Sequence, residues 1–220
     1  MWRKFATCAL RDATLKVAPH FKMILPIFQY GDPILRAKGE RIEKIDERIR
    51  ELVASMIETM HEAHGVGLAA QQVGEALQVT VLDVSAVEDR PSTLKLSGRD
   101  VDPKSAMPIV LINPEVELRG ETEVGVEGCL SFPEITGDIE RAQGVLVRAQ
   151  TLEGEMFQIE ASGLLARAIQ HEHDHLHGIL FIDRMSSAAK AALSSRLKRL
   201  QRETRRGIRH REALVSETTL

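Results

Sequence analysis

The spacing of hydrophobic positions predicts two amphipathic helices in the body of the chain. From Asp46 onward, apolar residues recur three and four positions apart, the period of a helix with one buried face, and Asp46 is a suitable N-cap residue. This helix is predicted to end near Gly65, because glycine often follows the last turn of a helix. A second helix is predicted from Ser162 through His175, where apolar residues again follow the helical period.

The remaining hydrophobic stretches predict strands grouped between these helices. Segment 78–84 is rich in β-branched residues, and shorter strands are predicted at 109–112, 115–118, 145–151 and 156–160. The segment from Ser85 to Pro108 is polar and contains two internal prolines, which predicts a long surface loop. Since the strands do not alternate regularly with helices, the predicted fold class is α+β, with antiparallel or mixed sheets around a central helix.

Three regions are predicted along the chain. Residues 1–22 show no clear period and carry five basic residues against one acidic, so they form an N-terminal extension, disordered or not native. An organelle-targeting segment and a start assigned too early, with the true start at Met23, are the alternatives. Residues 23–186 form the folded domain, and residues 187–220 form a basic C-terminal helix and tail, with nine basic residues against three acidic.

Composition limits the class of protein. A chain of 220 residues with 43% hydrophobic content is large enough to bury one core. It has no apolar run long enough to cross a membrane and no secretory signal, so we expect a cytoplasmic protein, or an organelle-matrix protein if residues 1–22 are a transit segment. We expect neither a membrane nor a specific DNA partner. Only two cysteines are present, Cys8 and Cys129, which excludes a disulfide framework.

Four of the eight histidines lie in residues 170–178, QHEHDHLHG. His171 and His175 are four positions apart on one face of the predicted helix, so both imidazoles can bind one metal ion. A catalytic ion usually has three protein ligands and one open position. Cys129, in residues 127–133, EGCLSFP, is the candidate third ligand, although a lone cysteine is more often a small buried hydrophobe. The alternative for the histidines is a polar, solvated helix face.

A third motif, GVGLAAQQVG, lies at residues 65–74, before the other two. In this order and at these separations, the three motifs resemble the signature motifs of peptide deformylases. The resemblance runs from about Met23 to Met185. It implies a metal-dependent hydrolase that removes the formyl group from the N-terminal methionine of new proteins and releases formate.

The resemblance also implies roles for individual residues. Glu172 is the general base, and the Gln72 side chain and the Leu130 backbone N–H bind the carbonyl oxygen under attack. One thiolate and two imidazoles suit Fe²⁺, Zn²⁺, Ni²⁺ or Co²⁺, and the resemblance favours Fe²⁺. The implied metal ligands are Cys129, His171 and His175.

Substrate contacts follow less directly. Val66, Leu165 and Ile169 are candidates for an apolar pocket that takes the methionine side chain, or they are plain core residues. Gly67 and Gly128 are candidates for close backbone approach to a peptide bound as an added strand.

Several residues near these motifs have two possible roles. Glu127 and Arg141 either pair to hold the cysteine loop or form a surface ion pair. Asp174 either orients the metal ligands or makes an ordinary polar contact. Three residues depart from the usual pattern of the family and are left out of the ligand and catalytic sets: Phe132, His173 and His177.

The basic C-terminal helix has two possible roles. It is either a solvated surface helix or a contact to the ribosome, where the N-formylmethionyl substrate emerges. Two other functions are alternatives for the whole chain. One is a metallopeptidase, because many metallopeptidases also bind their metal ion through a His-Glu-x-x-His motif. The other is a catalytically silent, metal-binding ribosome partner, which is expected to have lost Glu172 or Gln72.

Overall fold

The structure is a computed structural model that describes the backbone of residues 23–218 and the side chains up to His210. The expectations for residues 1–22, including Cys8, therefore lie outside the described residues. The described part contains seven strands: β1 Gly67–Ala69, β2 Val79–Leu82, β3 Ser92–Leu96, β4 Arg99–Val101, β5 Ile109–Gly128, β6 Thr136–Gln150 and β7 Met156–Ser162. It also contains four α-helices: α1 Glu47–Glu62, α2 Gly163–Leu176, α3 Ser187–Ala192 and α4 Ser194–Thr218.

All seven strands belong to one sheet, in the order β1-β2-β5-β6-β7-β3-β4. Every pairing in it is antiparallel, so the α+β class is confirmed and the sheet is antiparallel, not mixed. Helix α2 contacts β1, β2, β3, β5, β6 and β7. These are six of the seven strands. Helix α2 is therefore the central element, as the sequence predicted.

Helix α1 begins where the sequence predicts. The Asp46 carboxylate accepts a hydrogen bond from the Ile49 backbone N–H at 3.2 Å, which satisfies one of the free donors of the first turn. Its apolar face packs in a hydrophobic cluster with residues of β1 and β2. This packing places the residues that follow α1, the 65–74 motif, beside helix α2.

The segment from Ser85 to Pro108 is not the loop that the sequence analysis predicted. It contains the hairpin of β3 and β4, and β3 also pairs with β7, which extends the sheet by two strands. The two residues between the strands, Ser97 and Gly98, both have positive φ values, 49° and 78°, as in a type I′ turn. Strands of five and three residues are too short to give a clear alternation of polar and apolar residues.

The C-terminal region folds as two helices and not as the single predicted one. Helix α3 ends at Ala192, Leu193 is its C-cap residue, and α4 starts at Ser194. Leu197 is buried in a third hydrophobic cluster with Leu35, Phe132 and Phe181, so the start of α4 is part of the folded body. Among the described residues, no helix has the length and apolar character needed to cross a membrane.

Candidate metal centre

The fold brings together three residues that are distant in sequence and are all able to bind a metal. Cys129 follows the end of β5, and His171 and His175 lie one turn apart on α2. One donor atom from each residue lies within 4.8 Å of the other two. The Cys129 sulfur lies 3.3 Å from Nε2 of His175. Within the described residues, this is the single such cluster, and it contains the three ligands that the resemblance implies.

The orientation of His171 is fixed by Glu127. Nδ1 of His171 lies 3.0 Å from Oε2 of Glu127, so the carboxylate accepts a hydrogen bond from Nδ1–H and Nε2 is the nitrogen that can bind an ion. Burial lowers the pKa of His171, but the side chains of Cys129 and Glu127 outweigh burial and raise it well above its usual value. The site therefore stabilises positive charge at this position.

His175 is prepared as a neutral ligand. Burial, followed by the positive charge of His171, lowers the pKa of His175 well below its usual value. A neutral imidazole has a free lone pair, which is the form that binds metals. In tetrahedral coordination, sulfur and nitrogen donors lie about 3.5 Å apart, given metal–ligand bonds of about 2.0 to 2.3 Å. The separations in this cluster, together with the thiolate and imidazole donors, fit one divalent ion.

Glu127 is held by two arginines in the interior of the protein. Arg141 donates two hydrogen bonds to it, Nε to Oε1 and Nη2 to Oε2, both at 3.0 Å, and Arg167 donates a third at 3.0 Å. Burial alone would raise the pKa of Glu127, but hydrogen bonds from His171 and Arg141 lower it to about 2. Both partners of the Glu127–Arg141 pair are buried, with side chains 5% and 2% exposed, so the surface-pair alternative is wrong.

Asp174 extends this network. Its carboxylate accepts hydrogen bonds from Arg141 and from Arg184, while Arg141 also bonds to Glu127. Asp174 therefore contacts the group that positions Glu127 and, through it, His171. Sequence reasoning did not identify Arg167 or Arg184, since no local motif shows which arginine reaches a distant carboxylate.

Glu172 presents an unpaired carboxylate oxygen beside the metal cluster. Its side chain lines the groove described below, and its buried Oε2 has no hydrogen-bond partner among the described residues. Burial raises the pKa of Glu172 to about 7, against the opposing positive charge of His171. A carboxyl group with such a pKa exchanges a proton readily near neutral pH.

Gly67 lies directly against Glu172. A Cβ atom built on Gly67 would lie 2.4 Å from Oε1 of Glu172 and 2.9 Å from its carboxyl carbon. No side chain fits at this position unless the carboxylate moves. The glycine of the 65–74 motif is therefore required by the position of Glu172.

Two hydrogen-bond donors point to the same place. The Gln72 side-chain oxygen accepts a hydrogen bond from the Ala69 backbone N–H at 2.9 Å, which turns Nε2 towards Cys129 at 3.5 Å and Ser131 at 3.3 Å. The Leu130 backbone N–H forms no hydrogen bond within the described part of the chain. Gln72 and Leu130 both line the groove beside Cys129. The Leu130 N–H is available to a ligand there, whereas the Gln72 amide binds one by exchanging its contact with Cys129 or Ser131.

These residues line one groove with a volume of about 480 Å³. Val66, Gly67 and Gly128, the candidates for substrate contacts, are among its lining residues. Leu165 and Ile169 are not; they are 0% and 1% exposed and belong to the core cluster under α2. Helix α2 instead lines the groove with the residue before each of them: Leu164 and Ala168. The sequence prediction of the pocket was wrong by one position along the helix.

The residues that depart from the family pattern lie beside the centre. His173 and His177 contact each other, with ring centroids 4.4 Å apart, and neither joins the metal cluster. Phe132 lines the groove and stacks on Tyr30, with ring centroids 4.9 Å apart.

A sequence model of the polypeptide deformylase family matches residues 24–191, about three quarters of the chain. The chain belongs to this family. As a member of the peptide deformylase family, it is a metallohydrolase that removes the N-formyl group from peptides. The fold and the metal cluster described above are consistent with this membership.

Relatives and solved structures support the same membership. The chain is 44% identical over 185 residues to the peptide deformylase of Opitutus terrae, covering 83% of this chain and 96% of the relative. The crystal structure of peptide deformylase from Thermotoga maritima is 41% identical, with a TM-score of 0.63, and the match covers 74% of this chain and 99% of that one. A plant peptide deformylase structure is 38% identical, with a TM-score of 0.71, over 83% and 92% of the two chains.

Proposed function

We propose that Cys129, His171 and His175 hold one divalent ion and that the enzyme uses it to remove the formyl group from the N-terminal formylmethionine of nascent chains. The observation that supports this best is the cluster of one thiol and two imidazoles within 4.8 Å, beside an unpaired buried carboxylate. A bound divalent ion lowers the pKa of a coordinated water from about 15.7 towards 7. We place the reaction in the bacterial cytoplasm.

Glu172 acts as the proton carrier in this proposal. Its carboxylate accepts a proton from the attacking water, whose oxygen forms a bond to the formyl carbon. The same proton then passes to the amine nitrogen as the carbon–nitrogen bond breaks, and formate and the free amino terminus leave. A pKa of about 7 allows Glu172 to accept and donate a proton in the same cycle.

Gln72 and Leu130 stabilise the oxygen that becomes negative. As water adds to the formyl carbon, charge develops on the carbonyl oxygen, and donors held beside that oxygen stabilise the charge. The Gln72 side chain is oriented by the hydrogen bond that the Ala69 N–H donates to its Oε1. The Leu130 N–H is part of the backbone. Loss of one such donor typically costs about 2.7 to 4 kcal/mol of barrier.

We propose Fe²⁺ as the native ion. A mixed thiolate and imidazole donor set suits several divalent metals, and the donors alone do not select among Fe²⁺, Zn²⁺, Ni²⁺ and Co²⁺. The family resemblance favours iron. Cys129 is partly exposed in the groove, so oxidation of its sulfur would remove a ligand.

Cobalt substitution tests the ligand set without relying on activity. A cobalt–thiolate bond gives a near-ultraviolet absorption band, so the cobalt-loaded protein is expected to show one. Cys129→Ala is expected to abolish the band, and His175→Ala is expected to reduce cobalt binding. Cobalt bound with an unchanged band in Cys129→Ala would overturn the proposed ligands.

We also propose that α4 contacts the ribosome. Seven basic residues are exposed along its described side chains: Arg196, Lys198, Arg199, Arg202, Arg205, Arg206 and Arg209. Such a surface attracts RNA phosphate, and this attraction weakens as salt increases. Arg196, near the start of the helix, donates a hydrogen bond to the backbone oxygen of Glu134 in the groove, so a docked helix would lie close to the active centre.

Charge removal tests ribosome contact better than deletion, because Leu197 is buried in the body of the protein. We expect weaker and less salt-dependent cosedimentation with ribosomes after substitution by glutamine of Lys198, Arg199, Arg202 and Arg206. The matched control removes four exposed basic residues elsewhere: Lys38, Arg41, Lys44 and Arg99. Equal effects of the two sets, or no effect of either, would refute docking through α4.

A further inference from the structure

The hairpin of β3 and β4 brings a positive charge to the active-site groove. Arg90 lies two residues before β3 and is among the residues that line the groove. Its side chain is exposed, and it forms no hydrogen bond or ion pair with any residue that the structure describes. The guanidinium is therefore available to a group in the groove.

The backbone beside Arg90 is fixed to the start of helix α2. The Leu164 N–H donates to the Pro91 carbonyl oxygen at 3.4 Å, and the Leu165 N–H donates to the Ser92 hydroxyl at 3.0 Å. A Cβ on Gly163 would lie 2.1 Å from the Pro91 oxygen, so this contact depends on glycine. The backbone next to Arg90 is therefore held against the same helix that carries His171 and Glu172.

The other charged residues of the groove are already engaged. Glu127 and Arg167 pair with each other at 3.0 Å in the interior, and His171 and Glu172 belong to the catalytic centre. The lining contains three further titratable residues at its open side: His64, Arg90 and Glu134. Of these, Arg90 carries a guanidinium, a planar group with several N–H donors and no acceptor.

We propose that Arg90 is a specificity-determining residue that binds a carboxylate of the peptide downstream of formylmethionine. The inference rests on the proposed function, because it assigns the groove to the peptide substrate. An arginine can form two parallel hydrogen bonds to a carboxylate, which gives selectivity as well as affinity. A nascent chain is still attached at its C-terminus, so the carboxylate comes from an aspartate or glutamate side chain.

The experiment compares formyl-Met-Xaa-Ser-amide and formyl-Met-Ala-Xaa-amide peptides in which Xaa is Asp, Asn or Lys, with the metal-loaded full-length enzyme. The amide removes the C-terminal carboxylate, and free-acid versions of the Asn peptides measure what that group contributes. We expect kcat/KM to be about two- to fivefold higher for Asp than for Asn at one of the two positions, the range of a partly exposed ion pair.

Two variants of Arg90 test whether this residue causes the preference for Asp. Arg90→Gln is expected to remove the preference for Asp, and Arg90→Glu to reverse it in favour of Lys. Arg99→Gln is the matched control, because it removes an exposed positive charge from the same hairpin outside the groove.

The outcomes separate the inference from the function it rests on. Cleavage of the Asn peptides with no preference for Asp, or a preference that survives Arg90→Gln, would overturn the role of Arg90 and leave deformylation intact. A preference seen only with the free acids would identify the C-terminal carboxylate as the bound group and contradict the side-chain proposal. No cleavage of any formyl peptide would contradict the proposed function itself, and Arg90's role with it.

Discussion

Single residues at the metal centre depend on partners far away in sequence. Glu127 orients His171, and it is held in turn by Arg141 and Arg167. The sequence predicted the proposed ligands and Glu172, because these residues lie in three compact motifs that resemble those of the family. It did not identify Arg167, whose role depends on a contact across 40 positions. Local patterns carry no information about such contacts.

Gly67 offers a direct test of how closely the centre is packed. Gly67→Ala would place a methyl group 2.4 Å from Oε1 of Glu172, so the carboxylate must move. Displacement of a catalytic group by about 1 Å can cost about 10²-fold in rate, and we expect a loss of this size in kcat/KM with the metal content unchanged.

The matched control is Gly207→Ala, since a Cβ there meets no atom within 4 Å. This variant is expected to retain full activity. Wild-type activity in Gly67→Ala would mean that the position of Glu172 is not constrained as the structure indicates.

At the scale of elements, the long helices were predictable and the hairpin was not. Asp46 and Ser162 occupy the N-cap positions of α1 and α2, as the sequence predicts. The hairpin did carry one signal, the Ser97-Gly98 dipeptide between residues with weak alternation. Pro91 and Pro103 favoured the prediction of a loop over a hairpin, although both lie outside the two strands.

The hairpin is expected to contribute to the stability of α2. Ser162 forms no capping hydrogen bond of its own to the helix, and the Ser92 hydroxyl accepts the Leu165 N–H instead. Ser92→Ala is expected to lower the free energy of unfolding by about 1 kcal/mol, the usual effect of losing an N-cap. Denaturant titration measures this change. Lys95→Ala, at an exposed position in the same strand, is the control, and an equal loss there would contradict the capping role.

At the scale of the whole molecule, the first described residues are joined to the end of the catalytic helix. Arg36 donates hydrogen bonds to the Gly178 carbonyl oxygen at 3.2 Å and to the Asp183 carboxylate. Asp183 also accepts from the Leu180 N–H at 2.9 Å. No pattern in the sequence predicts this joint, because it links segments more than 140 residues apart.

Acid is expected to weaken this joint. Burial raises the pKa of Asp183, but the hydrogen bonds from Arg36 and Leu180 outweigh it and lower the pKa below its usual value. A lowered folded pKa contributes stability that is present above the unfolded pKa of about 3.9 and is lost as pH falls through the folded pKa. We expect Asp183→Asn to be about 1 kcal/mol less stable at pH 7.

Denaturant titrations of the wild type and Asp183→Asn at acidic and neutral pH test whether the pKa of Asp183 is lowered by folding. The difference between wild type and Asp183→Asn is expected to be constant above about pH 5 and to shrink below about pH 4. A difference that grows as pH falls would contradict the lowered pKa of Asp183.

The most direct test of the account is formate release from a formyl-Met-Ala-Ser peptide by protein purified without oxygen and loaded with Fe²⁺. The account expects release by the wild type and a loss of about 10² to 10⁴-fold in Glu172→Gln at equal metal content, the usual contribution of general base catalysis. No release by the wild type with metal bound, or full activity of Glu172→Gln, would contradict it.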